Sequence, residues 1–397
     1  MEEITFSVFN HGSTAIENMR GLLKEFEAKE GIRVRLEMIP WGLAWPRLVE
    51  VALYHTGPDV SQVGSTWVGD LVRMDALRPF TATEIERVRG RADFFDSVWV
   101  RGFSDDPDEN AIYSIPWTGD ARVVYYRRDV LYKAGIEAAT AFSSAEQFER
   151  TIARLQEKGV TVPFALPTRR SRMAVHNLAS WVWGAGGDFL SPDGKKIVFH
   201  QPRALDGIKA YFRLGRFLDR ERHSIEETDA DGLFAAGQAA VLVSGNWVLH
   251  LPEQTTEVRN NIGAAPAPGV PFVGGHHLVI WRHTRNEVAA RKLVAFLHGE
   301  RASQVLYPLY GLPISEVGWG RPPFDLEQYQ VFLRSFQEGR TFPGQHLWGL
   351  VEKRLVDVLA EAWTDVFANP ESRRDAIVES HITSLAERLQ VSLQHSS

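Results

Sequence analysis

Hydrophobic periodicity along this chain switches again and again between two residues and about 3.6, and that switching constrains the fold more than any other feature. Ile4 to Phe9 alternates as a strand and stops at Asn10-His11-Gly12. Met19, Leu22, Leu23 and Phe26 then fall on one helical face, with Ser13 or Thr14 placed to cap the helix and Gly31 placed to close it. Ile32 to Ile39 alternates strictly, and Pro40 ends it just before Trp41. The spacing predicts a helix over 45–55 and a short strand opening at Pro58-Asp59-Val60. The pattern recurs downstream as a strand from Ala121 to Tyr126, helices over 129–135, 144–158, 172–184 and 203–219, a strand over 276–282 and a helix over 286–298. Phe234 to Val243 reads as a helix end, a turn and a buried strand, with Ser244-Gly245-Asn246-Trp247 directly after it. Strands alternating with helices predict α/β layers. The Gly-, Ala- and Pro-rich stretch 263–275 reads as a hinge or crossover, neither a helix nor a central strand. From about Leu326 onward the pattern is helical.

At 397 residues, and about 150 residues per domain, two or three domains are expected. The net charge of −6 and the absence of basic runs give no footing for nucleic acid or an anionic membrane. With no cysteine, disulfides, thiolate metal sites and cysteine nucleophiles are excluded. No apolar run reaches the roughly 18–20 residues that span a bilayer. Met1-Glu2-Glu3 runs straight into a strand where a secretory leader would be basic and then apolar, which leaves a cytosolic protein or one whose leader has been removed.

Several marks occur in one order. Gly57-Pro58-Asp59-Val60 with Trp67 is followed by Leu77-Arg78-Pro79-Phe80. Ile115-Pro116 precedes Val124 to Leu131 and Ala134-Gly135-Ile136. Phe234-Ala235-Ala236-Gly237-Gln238-Ala239-Ala240 comes with Gly245 and Trp247. Ala265-Pro266 and Gly274-Gly275 lead to Ala289-Ala290 and Phe296-Leu297. From about residue 4 to 370 this order resembles the extracellular solute-binding proteins of carbohydrate ABC importers. The resemblance implies an α/β, two-lobed periplasmic-binding-protein-like fold of type II, with a ligand cleft between lobes joined by hinge crossings. The first lobe would hold 1–117 plus 267–312, the second 118–266 plus 313–397. The protein would be periplasmic or extracellular and membrane-associated, its native leader or lipid anchor absent from this chain. It would be a monomer that hands a mono- or oligosaccharide to ABC permease transmembrane subunits, with no cofactor and no catalytic residue.

A neutral sugar presents C–H faces and a rim of hydroxyls, so a sugar site needs ring faces beside polar side chains. Of 12 tryptophans, Trp41, Trp67, Trp117 and Trp247 sit at strand-to-helix corners. Trp247 takes the stacking position of the resemblance, and Trp348 resembles a second stacking ring, although Leu347, Leu350 and Val351 offer it an apolar stripe. Trp41 and Trp67 are equally well read as ligand contacts or as core. Trp181, Trp183 and Trp363 lie inside helical patterns and read as core. Asn10 and His11 end the first strand, where side chains of an open α/β sheet face a ligand crevice; a capping role competes for them. Asp120 at the first crossover, His176 on its helix, and Gly275 with His276 complete the substrate-binding candidates. Gly275 is equally a turn residue.

Metal binding is not expected. His276 and His277 are adjacent on a strand and point to opposite faces, and no His-x-x-x-His helix or clustered carboxylates accompany them. Gly184-Ala185-Gly186-Gly187 follows a helix, as a C-terminal cap does and a phosphate loop does not. Two further readings stay open. A glycoside-active enzyme would need two carboxylates about 5–10 Å apart, and only Asp120 offers itself. The same fold could also bind an acidic sugar derivative, with Arg122 and Arg172 as partners, or another small solute.

Overall fold

The computed structural model describes residues 2–100, 111–218, 224–342, 344 and 348–395. The chain divides into two compact units. Unit 1 comprises Met1–Asp120, Val273–Leu326 and Thr341–Gly349; unit 2 comprises Ala121–Phe272, Glu327–Arg340 and Leu350–Ser397. Eight strands are described: β1 (Glu2–Phe9), β2 (Ile32–Ile39), β3 (Val60–Gly64), β4 (Ile115–Ala121), β5 (Val123–Arg127), β6 (Val241–Ser244), β7 (Ile262–Pro266) and β8 (Val273–Ile280).

Unit 1 is built on a sheet of order β2-β1-β3-β8-β4. β1 runs parallel to β2 and β3, and β8 runs antiparallel to β3. From Ile4 onward β1 is buried on both faces, as a central strand covered on both sides must be. The helix Ser13–Glu30 buries Ala15, Ile16, Met19, Leu22, Leu23 and Phe26, the stripe that the 3.6-residue spacing predicts. Each large apolar side chain there contributes about 1.5–3 kcal/mol by leaving water. Gly31 closes the helix in the left-handed conformation, at φ 69°. The N-terminal cap differs from expectation. It is Gly12, with no side-chain cap from Ser13 or Thr14, because Asn10 Oδ1 already accepts the Gly12 N–H and turns the chain one residue earlier.

Unit 2 holds a three-stranded antiparallel sheet, β6-β5-β7. Its central strand β5 is buried throughout. The helix Arg172–Gly184 buries every residue from Ala174 to Trp183, the polar His176, Asn177 and Ser180 among them. Trp181 and Trp363 are both buried in this unit; Trp363 stacks on Phe212 at 4.2 Å.

The chain passes from unit 2 to unit 1 between Phe272 and Val273, inside the stretch 263–275 read as a hinge or crossover, and only the reading that it holds no central strand is corrected. Residues 263–266 lie in the edge strand β7, and 273–275 open β8, an interior strand. Gly275 explains why so glycine-rich a segment is central. It sits at φ 134°, and a Cβ there would lie 2.2 Å from the Thr118 carbonyl oxygen. Only a residue without a side chain lets β8 approach β4 this closely.

Candidate functional site

In unit 1 the parallel strands β1, β2 and β3 bring their carboxyl ends to the same edge of the sheet. This is where ligand-contacting side chains gather in open α/β sheets. The register pairs Gly64, the last residue of β3, with His276 of β8. Asn10 and His11 leave β1 there, and Trp41 follows β2 on a 3-10 turn.

The His11, Trp41 and His276 rings meet. The Trp41 indole packs on Phe9 at 4.7 Å, His11 at 5.3 Å and His276 at 5.5 Å between centroids, yet stays 47% exposed. Tyr310 backs His11 at 4.5 Å. The result is an indole platform with a buried ring foundation. Trp67 stands edge-on to Phe9 and tilts against Trp45, half-buried beside the core. Asn10 is exposed and serves the turn to Gly12. Gly275 serves the strand contact with Thr118.

Hydrogen bonds set the state of both imidazoles. The Phe9 N–H donates to Gln62 Oε1 at 2.8 Å, which turns the Gln62 amide N–H toward His11 Nε2 at 3.1 Å. His11 Nε2 therefore accepts, and its proton sits on Nδ1. Thr118 gives its hydroxyl proton to the Tyr310 carbonyl and so accepts from His276 Nδ1, at 3.1 Å. That leaves His276 Nε2 as an acceptor. Burial, then repulsion from His276, pushes the His11 pKa down to about 3. Burial likewise lowers His276 to about 4. Both rings are neutral near pH 7. His277, by contrast, is buried between the Ser114 hydroxyl and the Val98 carbonyl, a structural role on the other face of the strand.

Unit 2 has its own cluster, where Arg122 precedes β5 and Trp247 follows β6. The pairing of Val123 with Ser244 and Pro266 brings those strand ends together. The Trp247 indole N–H donates to Asp231 Oδ2 at 2.6 Å, and the Arg122 guanidinium lies 4.6 Å from the ring centre. Burial raises the Asp231 pKa, against the pull of Trp247, Ser244 and Arg122. His176 is buried, stacked on Phe272 at 4.2 Å and 3.0 Å from Glu352 Oε1. Arg172 lies 3.4 Å from the other Glu352 oxygen. Two guanidinium groups thus face two carboxylates.

Trp348 and Asp120 are the two remaining candidates. Trp348 is only 2% exposed and stacks on Phe342 at 4.2 Å within unit 1. Asp120 is half-buried in β4. Gln62, Tyr310, Asp231 and Glu352 were not anticipated. Only Gln62 carried a sequence signal, a polar residue inside the apolar strand Val60 to Gly64.

A groove of about 690 Å3 lies in unit 2 along the helices Trp348–Ala368 and Arg374–His395, with Arg170, Arg354, Asp357, Glu361 and Arg388 on its walls. It has no aromatic wall and none of the residues expected to bind ligand. The ring-bearing clusters are better suited to a hydroxylated solute. Among the described residues no group of three or more His, Asp or Glu could hold a metal ion, and no helix is long and apolar enough to cross a membrane.

The chain is similar to several characterised proteins. The diacetylchitobiose binding protein DasA of Streptomyces coelicolor is 22% identical over 305 residues, covering 71% of this chain and 66% of that one. The sugar-binding protein MalE of Xanthomonas citri superposes with a TM-score of 0.80 at 20% identity, over 99% of both chains. Maltose-bound T. maritima MalE3 superposes with a TM-score of 0.80 at 21% identity, over 98% of this chain and 100% of that one. These structures share the α/β, type II binding-protein fold. The family model for bacterial extracellular solute-binding proteins matches residues 12–304, and with the order of strands and motifs described above it shows that the chain belongs to that family.

Proposed function

We propose that this protein captures a neutral mono- or oligosaccharide outside the cytoplasmic membrane and delivers it to the permease of an ABC importer. The observation that carries the reading is the Trp41 platform, a half-exposed indole on a foundation of Phe9 and two neutral imidazoles. An indole face takes the C–H face of a pyranose, by analogy with the roughly 0.5–1.5 kcal/mol of an aromatic pair beyond its area burial. His11 Nδ1–H and His276 Nε2, a donor and an acceptor, suit hydroxyls. In unit 2, Trp247 would supply a second ring. The names of DasA and the two MalE proteins support the sugar class.

A neutral ligand fits better than an acidic sugar derivative. Arg122 is 1% exposed and engaged with the Trp247 ring, Met173 and His176. Arg172 faces Glu352. Neither guanidinium is placed to meet a ligand carboxylate without leaving these partners. On this reading the protein works as a monomer, chemically inert toward its cargo, with hinge closure on binding.

A thermal-shift screen against a panel of neutral saccharides, uronic acids and polyamines tests the proposal. A ligand that binds only the folded state adds RT ln(1 + [L]/Kd), about 2.7 kcal/mol at a hundredfold excess over Kd. Stabilisation by one or more neutral saccharides is expected. Stabilisation by uronic acids or polyamines alone would overturn the neutral-sugar reading. Time-dependent cleavage of a bound oligosaccharide would overturn the inert-carrier reading.

A further inference from the structure

Three residues converge on the Trp247 side chain, and a fourth holds one of them. Its edge donates to Asp231, and one face lies over Arg122. Its six-membered ring passes so close to Gly245 that a Cβ there would lie 2.1 Å from the nearest ring carbon and 2.5 Å from Arg122 Nη1. Gly245 is itself held, because the buried Tyr125 hydroxyl donates to its carbonyl at 2.8 Å. An indole that only filled core volume would not need an ionised acceptor at its edge and a cation on its face. Burying those two charges costs free energy unless they are paired and hydrogen-bonded. Such an arrangement removes rotamer freedom from the ring before ligand arrives, and that lowers the entropy lost on binding.

We infer that Asp231 is a positioning residue for Trp247: its carboxylate fixes the indole edge while Arg122 covers one face, so the ring meets the saccharide in a single orientation. The inference deepens the sugar-binding reading and rests on it for its consequence in affinity. The geometric part stands on the Asp231–Trp247 bond alone. Asp231 comes from the helix Glu227–Ala235 and touches no ligand on this account; it acts through the ring.

The test uses the full chain carrying 15N-labelled tryptophan. The Trp247 indole N–H resonance is assigned by its loss in Trp247→Phe. Asp231→Asn keeps an oxygen acceptor at the same place, and Asp231→Leu removes it. The resonance is expected to move upfield in Asp231→Asn and further in Asp231→Leu. Calorimetry with maltose, maltotriose and N,N′-diacetylchitobiose should show affinity falling roughly tenfold in Asp231→Leu and recovering to within roughly threefold of the parent in Asp231→Asn. A purely structural role would lower the melting temperature of both variants and leave that resonance in place. An unmoved resonance in Asp231→Leu overturns the inference, as does one in Asp231→Asn where the leucine variant fails to fold. Full affinity of a folded Asp231→Leu for a saccharide that the parent binds overturns it too. If the parent binds none of the three sugars, the sugar reading loses its support, while the resonance still decides the positioning role.

Discussion

Gln62 donates its side-chain amide proton to His11 at 3.1 Å while its carbonyl oxygen holds the Phe9 N–H, so a strand residue dictates the tautomer of a loop imidazole. Burial, then repulsion from His276, outweighs the raising effect of the Gln62 bond and keeps His11 neutral, with its pKa pushed down to about 3, and burial holds His276 beside it at about 4. In an NMR titration neither ring should change charge between pH 8 and pH 5.5, and ligand affinity should be flat over that range. A titration midpoint near 6.5 for either ring would contradict the arrangement.

The same burial makes stability fall on the acid side. His277 is lowered to about 3 in the folded protein and returns to about 6.5 when unfolded. The unfolded chain therefore binds more protons below pH 6.5, and the stability present above that pH is lost as pH falls from 6.5 toward 3. The loss approaches about 1.4 kcal/mol per pH unit for one such group. Glu84 acts in a lower window. Burial opposes its ionisation, but Arg78, the Thr81 amide and Arg291 outweigh it and hold its pKa at about 2, so its contribution fades only below pH 4.5. Urea unfolding at pH 7.5 and 5.0 should show the histidine effect alone, reduced in His277→Gln.

Trp41→Ala and Trp348→Ala should separate cleanly. Trp41 is 47% exposed, so its loss should weaken saccharide binding roughly tenfold with little change in melting temperature. Trp348 is 2% exposed and stacked on Phe342, so its loss should cost about 3–5 kcal/mol of stability. Calorimetry and denaturant unfolding on both variants make the comparison.

Gly275→Ala should destabilise unit 1 by about 1–3 kcal/mol, since its Cβ meets the Thr118 carbonyl oxygen at a positive φ. The readout is the urea midpoint. A neutral result would mean that β8 and β4 can separate without cost.

The hinge closure that forms part of the proposed function predicts a smaller radius of gyration on saccharide binding, saturating at one ligand per chain. Tryptophan fluorescence should change over the same concentration range. A tight ligand that alters neither would point to a preformed, rigid pocket.

The sequence by itself determined the alternation of strands and helices, because side-chain periodicity is a local property. Ile4 to Phe9 and the stripe Met19, Leu22, Leu23, Phe26 could be read without any knowledge of their neighbours. It also marked the corners, since Pro40 must end β2 and Trp41 must follow. Tertiary structure decided what each corner residue does. Trp41 and Trp348 both read as candidate ligand contacts, yet one rests half-exposed on three rings and the other is buried on Phe342. The end of the glycine-rich stretch read as a hinge or crossover also opens an interior strand, because Gly275 answers the Thr118 backbone more than a hundred residues away. Gln62 and Asp231 acquire meaning only from partners distant in sequence, His11 and Trp247. Exposure, protonation and hydrogen-bond pairing depend on what the fold brings alongside a residue, and local spacing holds no information about that.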